Sequence, residues 1–355
     1  MTSGFINLNK PLTWTSHDCV ARVRRLLQTK KVGHGGTLDP LATGVLPIAV
    51  GRATRLIQYL PGRKSYQAVI RFGVTTTTDD LEGDILTTHP TSHLSLSAIK
   101  KQLEQFVGDI SQVPPMYSAI QVDGQRLYDL ARKGKTADVP VRQVTIHRLR
   151  IQGWTEQPCH DGQDSAADSF PDQYPELTLE IDCGPGTYIR SLARDLGAAA
   201  GTGATLAGLT RTHSNGFDLA ESLTLEALEI AVTEGRFVPC PAGETVAHLE
   251  AIALTPALSR RWCMGQKIAF TDEGLSGEGT RFAHDVTSVD AKSLIGPPLR
   301  VINHHTGDFL GIGEVRWVPP VGTVLATTPI AEKSTATAVD LNPILAAKRV
   351  FAAVD

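Results

Sequence analysis

Apolar and polar positions alternate along KSYQAVIRFG, so that Tyr66, Ala68, Ile70 and Phe72 share one face. That is the period-two signature of a half-buried strand. GFINLNK predicts a short strand closed by Pro11, and VPVRQVTIHRLRIQGW and ELTLEIDCG predict two more. Val20, Val23, Leu26 and Leu27 instead fall at helical spacing, with Thr15 or Ser16 as the cap. ATRLIQYL, LSLSAIKKQLEQFVG and TYIRSLARDLGAAA read as further helices, the second plainly amphipathic. SQVPPMYSAIQVDGQRLYDLARKG predicts a proline-rich turn, a short strand, a turn at Asp123-Gly124 and a helix ending at Gly134. Strands interleaved with single helices predict an α+β domain on a mixed or antiparallel sheet. The rhythm changes near residue 254 to short strands and turns, as in QKIAF, LRVINHHTGDFLGIGEV and KRVFAA. We therefore divide the chain into residues 1–250 and a small β-rich domain at 251–355.

Composition refines this picture in two places. The 355 residues are 41% hydrophobic and 20% charged, enough for two domains with cores. No apolar run reaches membrane-spanning length, and the N-terminus lacks a signal-peptide pattern. The five cysteines are scattered and form no C-x-x-C pair, which argues against a disulfide framework and a cysteine zinc site. These features predict a cytoplasmic protein. The net charge of −3 hides a segregation. Residues 1–64 carry ten Lys/Arg against Asp18 and Asp39, whereas residues 156–176 carry six acids and no Lys or Arg. A basic face suited to a polyanion is one reading, and unevenly solvated surface charge is the other. The acidic stretch TEQPCHDGQDSAADSFPDQYPE reads as a poorly ordered loop inserted between two strands, at about 155–175.

Candidate chemistry is concentrated in GHGGTLDPLATG, where four glycines surround the single carboxylate of Asp39. Glycines permit close approach of a ligand, and Pro40 keeps Asp39 out of the α region. Local physics leaves two roles open: an acid presented to a ligand, or a turn in which Asp39 caps backbone amides. Neither a phosphate-loop nor a dinucleotide-binding pattern is present. CGPGTYIR offers Arg190, which is able to pair with a carboxylate or to form a purely structural bridge. KSY offers Tyr66, a base-stacking ring or a core aromatic. PPMYSA reads as a rigid turn, and no histidine spacing suits a metal.

The segments KVGHGGTLDPLATGVLPIAVGRATRL, KSYQAVIRFGVTTTTDDLEG, PPMYSAIQVDGQRLYDLARKG and CGPGTYIRSLARDLG, in this order and spacing, strongly resemble the TruB family of bacterial tRNA pseudouridine synthases. RRWCMGQKIAF, GDFLGIGEV and KRVF resemble that family's C-terminal PUA-like domain. The resemblance implies a pseudouridine synthase catalytic domain with a mainly antiparallel sheet. It implies that uridine 55 in the T loop of tRNA becomes pseudouridine, without cofactor or metal. It places the catalytic aspartate on Asp39, the active-site tyrosine on Tyr66 and the arginine that pairs with the aspartate on Arg190. It puts Leu209 in the uracil pocket, His34 against the tRNA, and Lys10 and Tyr188 at positions that support the N-terminal segment and the pocket. The acidic insertion is the clear departure from the family.

The implied reaction breaks C1′–N1 and forms C1′–C5, with no oxidation and no hydrolysis. A carboxylate serves it by adding to C1′, by abstracting the 2′ proton, or by adding to C6 of the ring. Arg190 would hold that carboxylate and fix its direction. Tyr66 would stack on an extruded uracil, and its unperturbed phenol is a poor base. The T arm of tRNA is the implied partner, bound by a monomer. Two rivals remain: a non-catalytic RNA-binding or RNA-folding protein, and a synthase acting on another RNA.

Overall fold

The computed structural model describes residues 3–118, 120–122, 124–132, 138–155, 174–269, 275–276, 295–318 and 342–351. The acidic insertion expected at about 155–175 lies almost wholly outside these residues, as does the end of the helix predicted before Gly134. Contacts divide the chain into two compact units. One comprises Ile6–Val50 and Leu60–Val238, the other Met1–Phe5, Gly51–Tyr59 and Pro239–Asp355.

The first unit is built on a mainly antiparallel sheet. Its strands run in the order Gly4–Lys10, Ala42–Val50, Ala204–Ser214, Lys64–Phe72, Glu176–Cys183, Arg142–Thr155 and Gly108–Gln112. The α+β expectation is met, and the sheet includes a parallel pair. Ala204–Ser214 lies parallel to Ala42–Val50, setting Leu209 beside Ala42 and Arg211 beside Gly44. The alternation read in KSYQAVIRFG is realised: Tyr66, Ala68, Ile70 and Phe72 are buried, and Gln67 is exposed. The helix Ser16–Leu26 begins at Thr15, whose hydroxyl accepts a hydrogen bond from Asp18 N while the Asp18 carboxylate accepts one from Thr15 N. Such a box is worth about 1 kcal/mol. Cys19, Val20 and Val23 of this helix join the core with Leu46, Ile48 and Ile70. Helix Ile189–Ala199 contributes Leu192, Ala193 and Leu196 to the same core.

The sequence reading missed several strands of this sheet. VGHGGTLDPLATGVLPIAVG contains Val32–His34 and the long Ala42–Val50, whose run of buried residues shows no alternation because both faces are covered. Another is Ala204–Ser214, the sheet's third strand. Register shifts between Leu206 and Gly208 and between Arg211 and His213 break its alternation twice. ATRLIQYL was expected as a helix and forms 3₁₀ turns over Gly51–Tyr59. Its buried residues Ala53, Leu56 and Tyr59 repeat every third position, which suits three residues per turn.

The second unit holds a six-stranded sheet in the order Ile268–Ala269, Asn342–Val350, Phe309–Val318, Ile295–Asn303, Ala251–Leu254 and Leu275–Ser276. The fully buried Trp262 of helix Pro256–Cys263 packs into a core with Leu254, Val301, Val315 and Leu345. The C-terminal part is therefore β-rich, as expected. Among the described residues no helix is long and apolar enough to cross a membrane.

Candidate active site

The glycine-rich loop between Val32–His34 and Ala42–Val50 is pinned by side chains from three other elements. Arg211, fully buried, donates from Nε to the Val45 carbonyl at 2.7 Å, from Nη1 to Thr37 at 3.3 Å and from Nη2 to Gly36 at 3.0 Å. Lys10, also fully buried, donates to the carbonyls of Trp14 at 2.6 Å, Pro11 at 2.8 Å and Pro40 at 3.4 Å. Burial pushes the Lys10 ammonium below its ordinary value. The Ser16 hydroxyl accepts from Leu38 N at 2.8 Å and lies 3.1 Å from the Leu38 carbonyl. Two buried cations and one hydroxyl thus collect the loop's polar backbone, which would otherwise be costly to bury. Gly44 allows this arrangement. Its φ is +98°, and a Cβ there would stand 2.3 Å from the Arg211 carbonyl oxygen.

Held in this way, the loop presents the Asp39 carboxylate to Arg190, its one ion-pair partner among the described residues. Arg190 Nη2 lies 3.0 Å from Asp39 Oδ2. The amide-capping alternative is not realised, since among the described residues Asp39 makes no such bond. Arg190 sits in the first turn of helix Ile189–Ala199, with its side chain only 6% exposed. Nη1 donates to the Thr78 carbonyl at 3.0 Å and Nη2 to the Tyr117 carbonyl at 2.8 Å, while Nε lies 3.6 Å from Asp80 Oδ2. With so many partners the guanidinium has little freedom, and it orients Asp39. Burial raises the Asp80 carboxyl, with the Thr78 hydroxyl bond and Arg190 opposing.

Asp39, Arg190, Tyr66, Tyr188 and Leu209 line one cavity of about 580 Å³. Pockets of that size take ligands of nucleotide dimensions. Tyr66 is 6% exposed, and burial lifts its phenol above the ordinary value while the Arg211 cation opposes. This makes the ring a better stacking surface than a base. Burial also raises the Tyr188 phenol. Glu82, at the same cavity, is raised by burial and then by the negative charges of Asp80 and Asp39. Among the described residues no cluster of side chains suits a metal ion.

A family model for the N-terminal domain of TruB family pseudouridylate synthases matches residues 24–189. The tRNA pseudouridine synthase B of Trichormus variabilis is 50% identical over 313 residues, 88% of this chain and 94% of that protein. That of Acaryochloris marina is 56% identical over 265 residues, 75% of this chain and 86% of that protein. The chain belongs to the TruB family of pseudouridine synthases. A solved H/ACA ribonucleoprotein bound to a substrate RNA containing 2′-deoxyuridine matches at TM-score 0.61 and 22% identity. That match covers 99% of this chain and 85% of the other, and it shows a shared fold.

Of the seven positions the TruB resemblance singled out, five meet at the cavity and two lie beside it. Lys10 lies beneath the Asp39 loop. His34 stands behind the cavity wall, its ring edge-on to His17 with centroids 5.3 Å apart. Burial, with lesser contributions from the His17 and Arg211 charges, lowers its imidazole to about 4, so the ring is neutral near pH 7. Its buried Nδ1 has no hydrogen-bond partner among the described residues. The sequence reading missed Asp80, hidden in what read as a polar turn, TTTTDDLEGD. It also missed Arg211, whose one signal was a guanidinium inside ATLAGLTRTHS, a stretch with no acid to pair with it.

Proposed function

We propose that this protein converts uridine 55 in the T loop of tRNA to pseudouridine, with Asp39 as the essential nucleophile or base on a flipped-out uridine. The observation that carries the reading is the Asp39 carboxylate, fixed by Arg190 at 3.0 Å in a nucleotide-sized cavity walled by Tyr66 and Leu209. Extruding a loop base costs a few kcal/mol, which stacking on Tyr66 offsets. Arg190 aims the carboxylate at the sugar or ring, and Leu209 helps to exclude water while the glycosidic bond is open. The balance is simple: C1′ exchanges N1 for C5, the C5 proton leaves, and N1 gains a proton. Tyr188 supports the pocket, Lys10 positions the Asp39 loop, and His34 acts through His17 on the RNA side. No cofactor or metal takes part. Residues 251–355 act as a PUA-like domain that adds RNA contacts, and a monomer in the cytoplasm suffices.

The test is tritium release from tRNA carrying C5-tritiated uridine, with the product site mapped. Release by the wild-type protein, loss by at least 10³-fold in Asp39→Ala, and product at position 55 alone are expected. Comparable release by Asp39→Ala would overturn the catalytic assignment. Tight binding without release would favour a non-catalytic RNA-folding protein, and product at another uridine would retain the chemistry but change the substrate.

A further inference from the structure

The basic N-terminal stretch is not uniformly free to meet an RNA. Arg22 pairs with Glu229 at 2.5 Å, Arg24 donates to the Val32 carbonyl, and Arg63 lies 3.8 Å from Asp182. Lys64 differs. It opens the strand that carries Tyr66 and lines the same cavity, half-buried. Among the described residues its ammonium has no hydrogen bond and no acidic partner. Its charged neighbour is another cation. A Cβ built on Gly36 would lie 3.8 Å from Lys64 Nζ and 3.6 Å from Arg211 Nη1, so both positive groups flank one point of the Asp39 loop. Glycine places no side chain against them.

The two cations are not equivalent. Three backbone carbonyls surround the Arg211 guanidinium. Lys64 has no comparable support, and Asp39 is engaged by Arg190. Burial, and then repulsion from Arg211, lower the Lys64 ammonium below its ordinary value. A half-buried, unpaired charge beside a like charge is destabilising for the free protein. An anion bound in the cavity would reverse that cost. A uridine carries no charge on its base, so the anionic groups of an entering nucleotide are the phosphates on either side of it. Lysine suits a phosphate as a compact point charge.

We propose that Lys64, backed by Arg211, holds one of the two phosphodiesters flanking the target uridine, and so anchors the backbone while the base turns over. This rests on the reading that the cavity accepts a uridine of RNA. The contact would form inside the cavity, apart from any surface contacts that place the arm.

The experiment is a double-perturbation cycle on a T-arm RNA hairpin with one target uridine. Wild type and Lys64→Met are each tested on the all-phosphodiester hairpin and on hairpins with a neutral methylphosphonate 5′ or 3′ of that uridine. Both Kd and kcat/KM are read. Lys64→Met should weaken kcat/KM by about 10- to 100-fold on unmodified RNA, the range of a charge-assisted hydrogen bond. It should melt no lower than wild type, because it removes an unpaired, half-buried charge. One of the two methylphosphonates should cost wild type a similar factor and cost Lys64→Met less than about threefold, and its position identifies the phosphate. Losses that multiply for both methylphosphonates would overturn the proposal. So would a variant that melts several degrees lower with unchanged kcat/KM, since that is the signature of a structural lysine. If wild type binds the hairpin without modifying it, the catalytic reading fails, while the same cycle on Kd still decides the phosphate contact.

Discussion

Replacing Arg190 by glutamine separates what this residue does for stability from what it does for chemistry. The guanidinium serves two carboxylates in different surroundings. The Asp39 side chain is 39% exposed and would be resolvated by water, whereas that of Asp80 is 2% exposed and would not. Breaking a buried pair from one side costs roughly 3–5 kcal/mol. Loss of a donor to the Thr78 or Tyr117 carbonyl adds about 1 kcal/mol, with the glutamine amide replacing the other. A destabilisation of about 5 kcal/mol is expected at pH 8, within the total stability of an ordinary domain. Adding Asp80→Asn removes the stranded charge and should return about 2 kcal/mol, a coupling typical of residues in contact. Activity should not return. Asp39 still lacks its orienting partner, so kcat should stay at least 10²-fold down in both the single and the double variant. The penalty should also depend on pH. Burial already raises the Asp80 carboxyl in the wild type, and loss of Arg190 raises it further. Above the unfolded value of about 4, the native variant then holds a proton that the unfolded chain has released. Stability therefore falls as pH rises through that window, and the penalty of Arg190→Gln should shrink between pH 8 and pH 5. Urea unfolding of the four proteins at both pH values, beside tritium release, reads all of this. Additive losses, or a penalty independent of pH, would refute the claim that Arg190 neutralises Asp80.

Two further outcomes test the loop and its surroundings. Gly44→Ala meets both a φ of +98° and the Arg211 carbonyl at 2.3 Å, so it should cost more than about 2 kcal/mol. An unchanged urea midpoint would show that the parallel pairing at Arg211 is looser than described. His34 should titrate by NMR near 4. Because the unfolded chain takes up that proton at about 6.5, stability should decline from that pH downward, and His34→Gln should lessen the decline; a His34 midpoint at 6 or above would contradict its burial.

The parts of the site legible in the sequence are those whose cause is local. A glycine-rich turn with one acid, an alternating strand ending in Tyr66 and a helix opening at Arg190 each show within a dozen residues, and their spacing carried the family resemblance. The resemblance also supplied Leu209, because local reading had not found the strand that holds it. Ala204–Ser214 contains Gly208 and three threonines, its alternation is broken by two register shifts, and it forms its parallel pair with a strand some 160 residues earlier. No local period marks such a strand, and it is nonetheless the one that brings Arg211 under the Asp39 loop. Asp80 was illegible for the same reason, since its partner lies over a hundred residues away on another element. The two kinds of feature depend on one another. A segment with four glycines has high conformational entropy, and without Arg211, Lys10 and Ser16 binding its backbone it would not hold one aspartate in one direction. The glycines let buried side chains approach the backbone, and those side chains supply the rigidity that the glycines lack. A sequence shows the first half of that exchange and the fold shows the second. A chain that kept GGTLDPLATG but lost Arg211 would therefore still resemble the family while presenting a disordered carboxylate.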